Sequence, residues 1–230
     1  DFLQDPALAN LMTDLNARPI ASQVAYIRKE RPLTQELLKR VGTGEVTAFN
    51  SLAIRLWYGQ GVIADRFQAW MWWRRGQNEN NAECTANLAW AIIQDRTWQS
   101  ELSSEQVEAL GDTSDKRAFE LAEKAVTLGI ADSARLIAWL MDVGRKTDED
   151  GLPAPSEGVL AKYSEARAMG ASGCDEPIAR LERRIAERDQ RVRAELLKLF
   201  EINNTSKLPI DELNHFSAIA IVSSKEILPV

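Results

Sequence analysis

Leu52 and Ala53 recur 36 residues on as Leu88 and Ala89, then 49 further on as Ile137 and Ala138, and 41 beyond that as Ile178 and Ala179. The segments between them keep the same offsets. Ala69, Trp72, Arg75 and Gly76 reappear as Ala118, Leu121, Lys124 and Ala125, and Lys124 and Gly129 as Glu165 and Gly170. A period of this length is what stacked helical hairpins produce, because one hairpin cannot bury its own apolar face and needs a neighbour. Each unit reads helix, loop, helix, then a glycine-type break at Gly129 or Gly170. The pattern predicts an all-α fold, an α/α solenoid. The 49-residue step leaves 13 extra residues in the unit that carries it.

The first unit contains the stretch LAIRLWYGQGVIADRFQAWMWWRRG, from Leu52 to Gly76. Gly59 and Gly61 free the backbone for a turn that most side chains would obstruct. Asp65 is placed to cap the following helix by accepting from its first exposed amides. Ala69, Trp72, Trp73 and Gly76 fall at i, i+3, i+4 and i+7, one buried stripe, so Trp72 and Trp73 are expected in the core.

This stretch resembles the Sel-one-like repeat, a relative of the tetratricopeptide repeat. The pattern is a Leu and a small residue (Leu52, Ala53), G-x-G-V-x-x-D (Gly59, Gly61, Val62, Asp65), then Ala69, Trp72, Trp73 and Arg75. Asn81 to Gly129 follows it moderately, and the match degenerates from there to about Arg193, where the glycine pairs are missing. The resemblance implies a superhelical solenoid that works through protein contacts, as an adaptor or regulator. It also implies, as an alternative, a bacterial immunity protein that neutralises a toxin or effector. Cysteine-rich relatives are linked to β-lactam binding and hydrolysis, but this chain lacks their paired cysteines and has no S-x-x-K serine.

The organisation expected is three segments. Residues 1–44 hold N-terminal helices, with Pro32 ending the second, and a decayed leading repeat. Residues 45–202 hold the solenoid, closed by a long mixed-charge helix over EPIARLERRIAERDQRVRAELLKLFE that caps it with a polar face. Residues 203–230 form a tail whose apolar run, SAIAIVSSKEILPV, packs on the solenoid as an end cap or occupies its groove. Arginines from Arg180 to Arg193 alternate with Glu182, Glu187 and Asp189, the signature of a salt-bridged exposed helix.

Net charge is −6, with a pI near 5.1, which argues against nucleic acid as a partner and would suit a basic effector or toxin. No apolar run approaches the length of a membrane span. The chain starts at Asp1 without an initiator Met, as a processed or trimmed product would, so a periplasmic or envelope location and a cytoplasmic one both stay open. Cys84, Ser133 and Cys174 occupy equivalent positions, where close helix crossing calls for a small buried residue. Two cysteines and one histidine, His215, have no metal-ligand spacing, so neither metal nor cofactor is expected. TDEDG, from Thr147, lacks the downstream ligands of a calcium loop. No nucleophile, phosphate-loop or zinc-protease motif appears, and no catalytic residue is assigned.

By analogy with tetratricopeptide units, the first helix of each hairpin lines a concave groove. The residues so placed are Asn50, Ile54, Trp57 and Tyr58, then Trp90 and Gln94, then Arg135, Trp139 and Asp142, and last Arg180, Arg183 and Arg184. This would be an aromatic track ending in arginines, the residue types that dominate interface hot spots. The same spacing is met if the tryptophans pack against the neighbouring repeat, and the sequence leaves both readings open.

Overall fold

The computed structural model describes residues 20–94, 97–145 and 154–203. Among these residues there is no strand. The helices run α1 (Ile20–Gly42), α2 (Thr47–Tyr58), α3 (Arg66–Asn78), α4 (Ala82–Ile93), a 3-10 turn (Thr97–Glu101), α5 (Ser104–Leu110), α6 (Asp115–Thr127), α7 (Ala131–Asp142), α8 (Ser156–Ala168) and α9 (Asp175–Asn203). Three hairpins follow from the packing: α2 lies against α3, α4 against α6, and α7 against α8. Adjacent hairpins join through α3 on α4 and α6 on α7, so each helix pair buries the apolar face of the next. This is the solenoid that the offsets predict. Residues 1–19, TDEDG, His215 and the tail from residue 204 lie outside the described residues.

The helix ends repeat as faithfully as the helices. A backbone N–H donates to a carbonyl five residues back at the end of α3 (Asn81 to Gly76, 2.9 Å), α6 (Ile130 to Ala125, 3.0 Å) and α8 (Ala171 to Ala166, 2.9 Å). This closure requires a left-handed residue, which is Gly129 (φ 94°) and Gly170 (φ 93°) in the later hairpins and Asn80 (φ 56°) in the first. The Asp65 carboxylate accepts from Gln68 N at 2.8 Å, the cap expected of it.

Pro32 does not end a helix. It sits inside α1, which runs unbroken to Gly42. A proline removes one helical hydrogen bond, and here tertiary contacts hold the two halves together. The Arg55 guanidinium on α2 bonds Glu30 at 3.0 Å and Thr34 Oγ1 at 3.3 Å, one on each side of the proline. Thr34 Oγ1 in turn donates to the Gln60 carbonyl at 2.7 Å. The second glycine of the G-x-G loop makes that approach possible. A β-carbon on Gly61 would stand 2.6 Å from the Glu30 carbonyl carbon.

The chain divides into two compact units, Asp1–Leu181 and Glu182–Val230, with the division inside α9. In the first unit, one core cluster gathers residues from Val41 to Leu140 and a second gathers residues from Ala134 to Leu181. Ile178 and Leu181, in the first turns of α9, complete the second cluster. The α9 residues of the second unit carry local pairs such as Lys198–Glu195 at 2.9 Å, the solvated charged helix expected.

The core of the first hairpin differs from its predicted stripe. Trp73, Ala69 and Gly76 are buried, but Trp70 replaces Trp72 as the second large core ring, while Trp72 is half-buried at the edge against Phe49 (5.4 Å). The reason lies in the 13-residue extension. Its Trp98 folds under the hairpin, 6.2 Å from Trp70 and 5.6 Å from Trp57, and gives Trp70 an apolar partner that no regular unit supplies.

Candidate partner-binding face

The residues expected to line the groove divide by burial. Asn50, Ile54 and Trp57 are core residues, exposed by 4% or less, and Trp90 is 9% exposed. They cannot serve as an open track, which corrects the expectation for these four. Tetratricopeptide geometry puts such positions on the inner surface, but close neighbours cover them here. Trp57 is covered by Trp73, tilted against it at 5.3 Å, and by Trp98, edge-on at 5.6 Å, with the Arg66 guanidinium 5.3 Å from its ring. Asn50 Oδ1 accepts from Trp73 Nε1 at 3.0 Å and Asn87 Nδ2 at 2.7 Å, and its Nδ2 donates to Glu83 Oε2 at 3.0 Å. A buried amide serving several partners is a structural post rather than a contact surface.

Arginines from the later helices pair across to these buried groups and to their neighbours. The Arg135 guanidinium on α7 lies 5.3 Å from the Trp90 ring on α4. Asp142, at the end of α7, forms an ion pair with Arg180 of α9, and Tyr163 Oη of α8 donates to the same carboxylate at 3.4 Å. Trp139 is half-buried, and the Arg145 guanidinium lies over its ring at 5.7 Å. Cations settle on indole faces because the ring quadrupole attracts them. The aromatic track of the sequence is thus laminated by arginines. Tyr58 and Gln94 are half-buried at the ends of α2 and α4. Arg183 and Arg184 are exposed and belong to the second unit.

Burial raises the Tyr163 hydroxyl pKa well above its ordinary value, and the Asp142 charge raises it further. Hydrogen bonding to Asp142 raises the Arg180 guanidinium in turn. Neither the Tyr163 hydroxyl nor the Arg180 guanidinium is an acid or base poised near neutrality. The buried Cys84 thiol is pushed up to about 12, chiefly by desolvation and then by Glu83, and Cys174 is raised mainly by burial. Neither is the thiolate that nucleophilic chemistry requires. No cluster of metal-ligating side chains occurs among the described residues. No helix among them is long and apolar enough to cross a membrane.

Sequence reasoning missed two features that shape this face. Arg145 follows α7 and reaches back to the Asp115 carboxylate, with Nε to Oδ2 at 2.7 Å, and to the Ile93 carbonyl at 3.2 Å. Trp98 lies in a segment that reads as a polar loop, and its aromatic character was the only hint.

No family model and no curated protein matches the chain. Among solved structures it is similar to a protective antigen present in uropathogenic Escherichia coli strains displaying an SLR (Sel-one-like repeat) fold. The TM-score is 0.52 at 17% identity, covering 68% of this chain and 30% of that one. It is also aligned with a Sel1 repeat protein from Oxalobacter formigenes, with a TM-score of 0.46 at 18% identity, covering 65% of this chain and 98% of that one. The chain thus spans under a third of the length of the E. coli antigen. Recurring hairpins, matching helix closures and likeness to the antigen lead to one conclusion: the described chain has the Sel-one-like repeat fold, an all-α solenoid of helical hairpins.

Proposed function

We propose that this chain is a non-catalytic protein-binding module, an adaptor or regulator, whose partner docks on the face made by α4, α7 and residues 175–181 of α9. The observation that carries the proposal is the sequence of cross-helix pairs, Arg135 on Trp90 and Arg180 on Asp142, beside the half-buried Trp139. Arg and Trp supply most hot-spot energy, and here each is held by a neighbour before a partner arrives, which lowers the ordering cost of binding. A module that neutralises a basic effector or toxin is the second reading, favoured by the net charge of −6.

The test compares immobilised wild type with Trp139→Ala, Arg180→Glu and the control Lys39→Glu, an exposed residue of α1, by quantitative mass spectrometry of what each retains. A genuine partner is retained by wild type and control and weakened by both face variants, by about 30-fold for a hot-spot loss. A set of retained proteins identical across all four would sink the proposal. Incubation with a chromogenic β-lactam should show no turnover above a denatured control, and turnover would favour an enzyme instead.

A further inference from the structure

Among the described residues the core clusters end at Leu181, while α9 runs on to Asn203. From 182 to 198 its side chains are exposed, apart from Ile185 and Leu196, which are half-buried. Val192 lies between those two on the same side of the helix and is 41% exposed. Ile185, Asp189, Val192 and Leu196 fall at i, i+4, i+7 and i+11, the alternating spacing of a coiled-coil seam. The rest of this stretch is mostly Arg, Glu, Asp and Gln. An aliphatic seam on so charged a helix marks a side that another helix covers.

The charges beside the seam select that other helix. Arg188 stands on one edge, next to Asp189, and Glu195 follows it on the same edge one heptad later. In an antiparallel pair of identical helices like edges face each other, so Arg188 of each copy meets Glu195 of the other. The register that does this also lays Ile185 against Leu196 of the second copy. It places Asp189 against Val192 of that copy, next to its Arg193. A parallel pair sets opposite edges together instead, and Arg188 would then meet Arg193 of the second copy and repel it. Within one copy, Arg188 forks onto Asp189 at 3.1 and 2.8 Å, and Lys198 donates to Glu195 at 2.9 Å. Exposed local pairs of this kind hold weakly. Each carboxylate also keeps acceptor sites for a cation from a second copy.

We infer that α9 beyond Leu181 is a self-recognition surface, on which a second copy of the chain docks antiparallel through Ile185, Val192 and Leu196. Two symmetric Arg188–Glu195 pairs flank the seam. The two-fold axis passes between residues 190 and 191, so the contact closes on itself and gives a dimer rather than a filament. Asp189 in the seam lowers affinity but fixes register and orientation, as one polar seam residue does. These residues are distinct from the face formed by α4, α7 and residues 175–181 of α9, so a dimer presents that face twice.

The experiment is sedimentation velocity of the full chain over about 1–300 μM, where monomer should pass to dimer and go no further. Arg188→Glu sets like charges together at both edges and should raise the dimer Kd by about tenfold. Glu195→Arg should do the same. Combining Arg188→Glu with Glu195→Arg should restore most of the lost affinity, which a mere loss of helix could not do. Leu196→Glu should abolish the dimer. A monomer at every concentration, a failed rescue in the double variant, or a tighter dimer in Arg188→Glu, the sign of a parallel pair, would each overturn the assignment. So would dimerisation only after truncation at Asn203, because residues 204–230 would then be the cover.

Discussion

A β-carbon placed on Gly76 would stand 2.3 Å from the Cys84 sulfur and 2.7 Å from its β-carbon. The two residues mark the crossing of α3 and α4, eight positions apart in the chain. The equivalent pairs, Ala125 with Ser133 and Ala166 with Cys174, are buried too but carry a methyl group where Gly76 has none. The first crossing is therefore the tightest expression of a constraint common to all three.

Gly76→Ala should destabilise the protein even though alanine is the better helix former. The propensity gain is about 1 kcal/mol, whereas overpacking a filled crossing costs about 1–3 kcal/mol. The contact is short enough to put the cost at the upper end. A net loss of about 1–2 kcal/mol corresponds to a melting temperature lower by roughly 2–8 °C. Adding Cys84→Ala removes the worse of the two contacts, so the double variant should recover part of that loss. Strict additivity of the two changes would refute the crossing argument.

Cys84 makes a pH-dependent contribution whose sign follows from its burial. The folded thiol is held up to about 12, while an unfolded cysteine ionises near ~8.5. Below the lower value both states keep the proton and the full contribution is present. As pH rises from there towards the folded value, only the unfolded chain releases a proton, and stability falls. Wild type should therefore lose stability relative to Cys84→Ser between about pH 9 and pH 10.5, by up to ~1.4 kcal/mol per pH unit. Parallel melting curves over that range would show that the thiol is not buried as described.

Trp98 anchors the extension to the hairpin core. Trp98→Ala removes a ring that is 6% exposed and touches Trp57 and Trp70. It should cost about 3–5 kcal/mol if the structure cannot collapse around it. Trp98→Phe should cost far less. Hydrogen exchange should also speed up in α5 first, because that short helix has little other packing. Unchanged exchange in α5 would mean the extension is held elsewhere.

Arg145 reads as an exposed charge in sequence but bridges two hairpins. Its fork meets the Asp115 carboxylate while another nitrogen reaches Ile93 O, a geometry that lysine cannot reproduce. Arg145→Lys should behave like Arg145→Ala, each lowering stability by about 1 kcal/mol given the partial exposure of the pair. Full retention of stability by the lysine variant would reduce the contact to a simple charge attraction.

Much of this molecule was legible because local rules act on neighbours in the chain. The offsets placed α2, α4, α7 and α9, and the partner helices α3, α6 and α8. Gly129 and Gly170 marked two closures, and Asp65 declared a helix start. Each depends on periodicity or on backbone freedom at one residue, which the sequence alone determines. Three outcomes depended on distant groups and were decided only by packing. Pro32 stayed helical because Arg55 and Gln60, more than 20 residues on, hold both sides of it. Asn50, Trp57 and Trp90 left the expected groove because Trp73, Trp98 and Arg135 cover them. Trp70 took the core place expected of Trp72 because an unrepeated extension folds back onto α3. A 3.6-residue period tells which side of a helix is apolar, but not which neighbour arrives to bury it. That identity is settled by free energies of contact between segments that the period cannot relate.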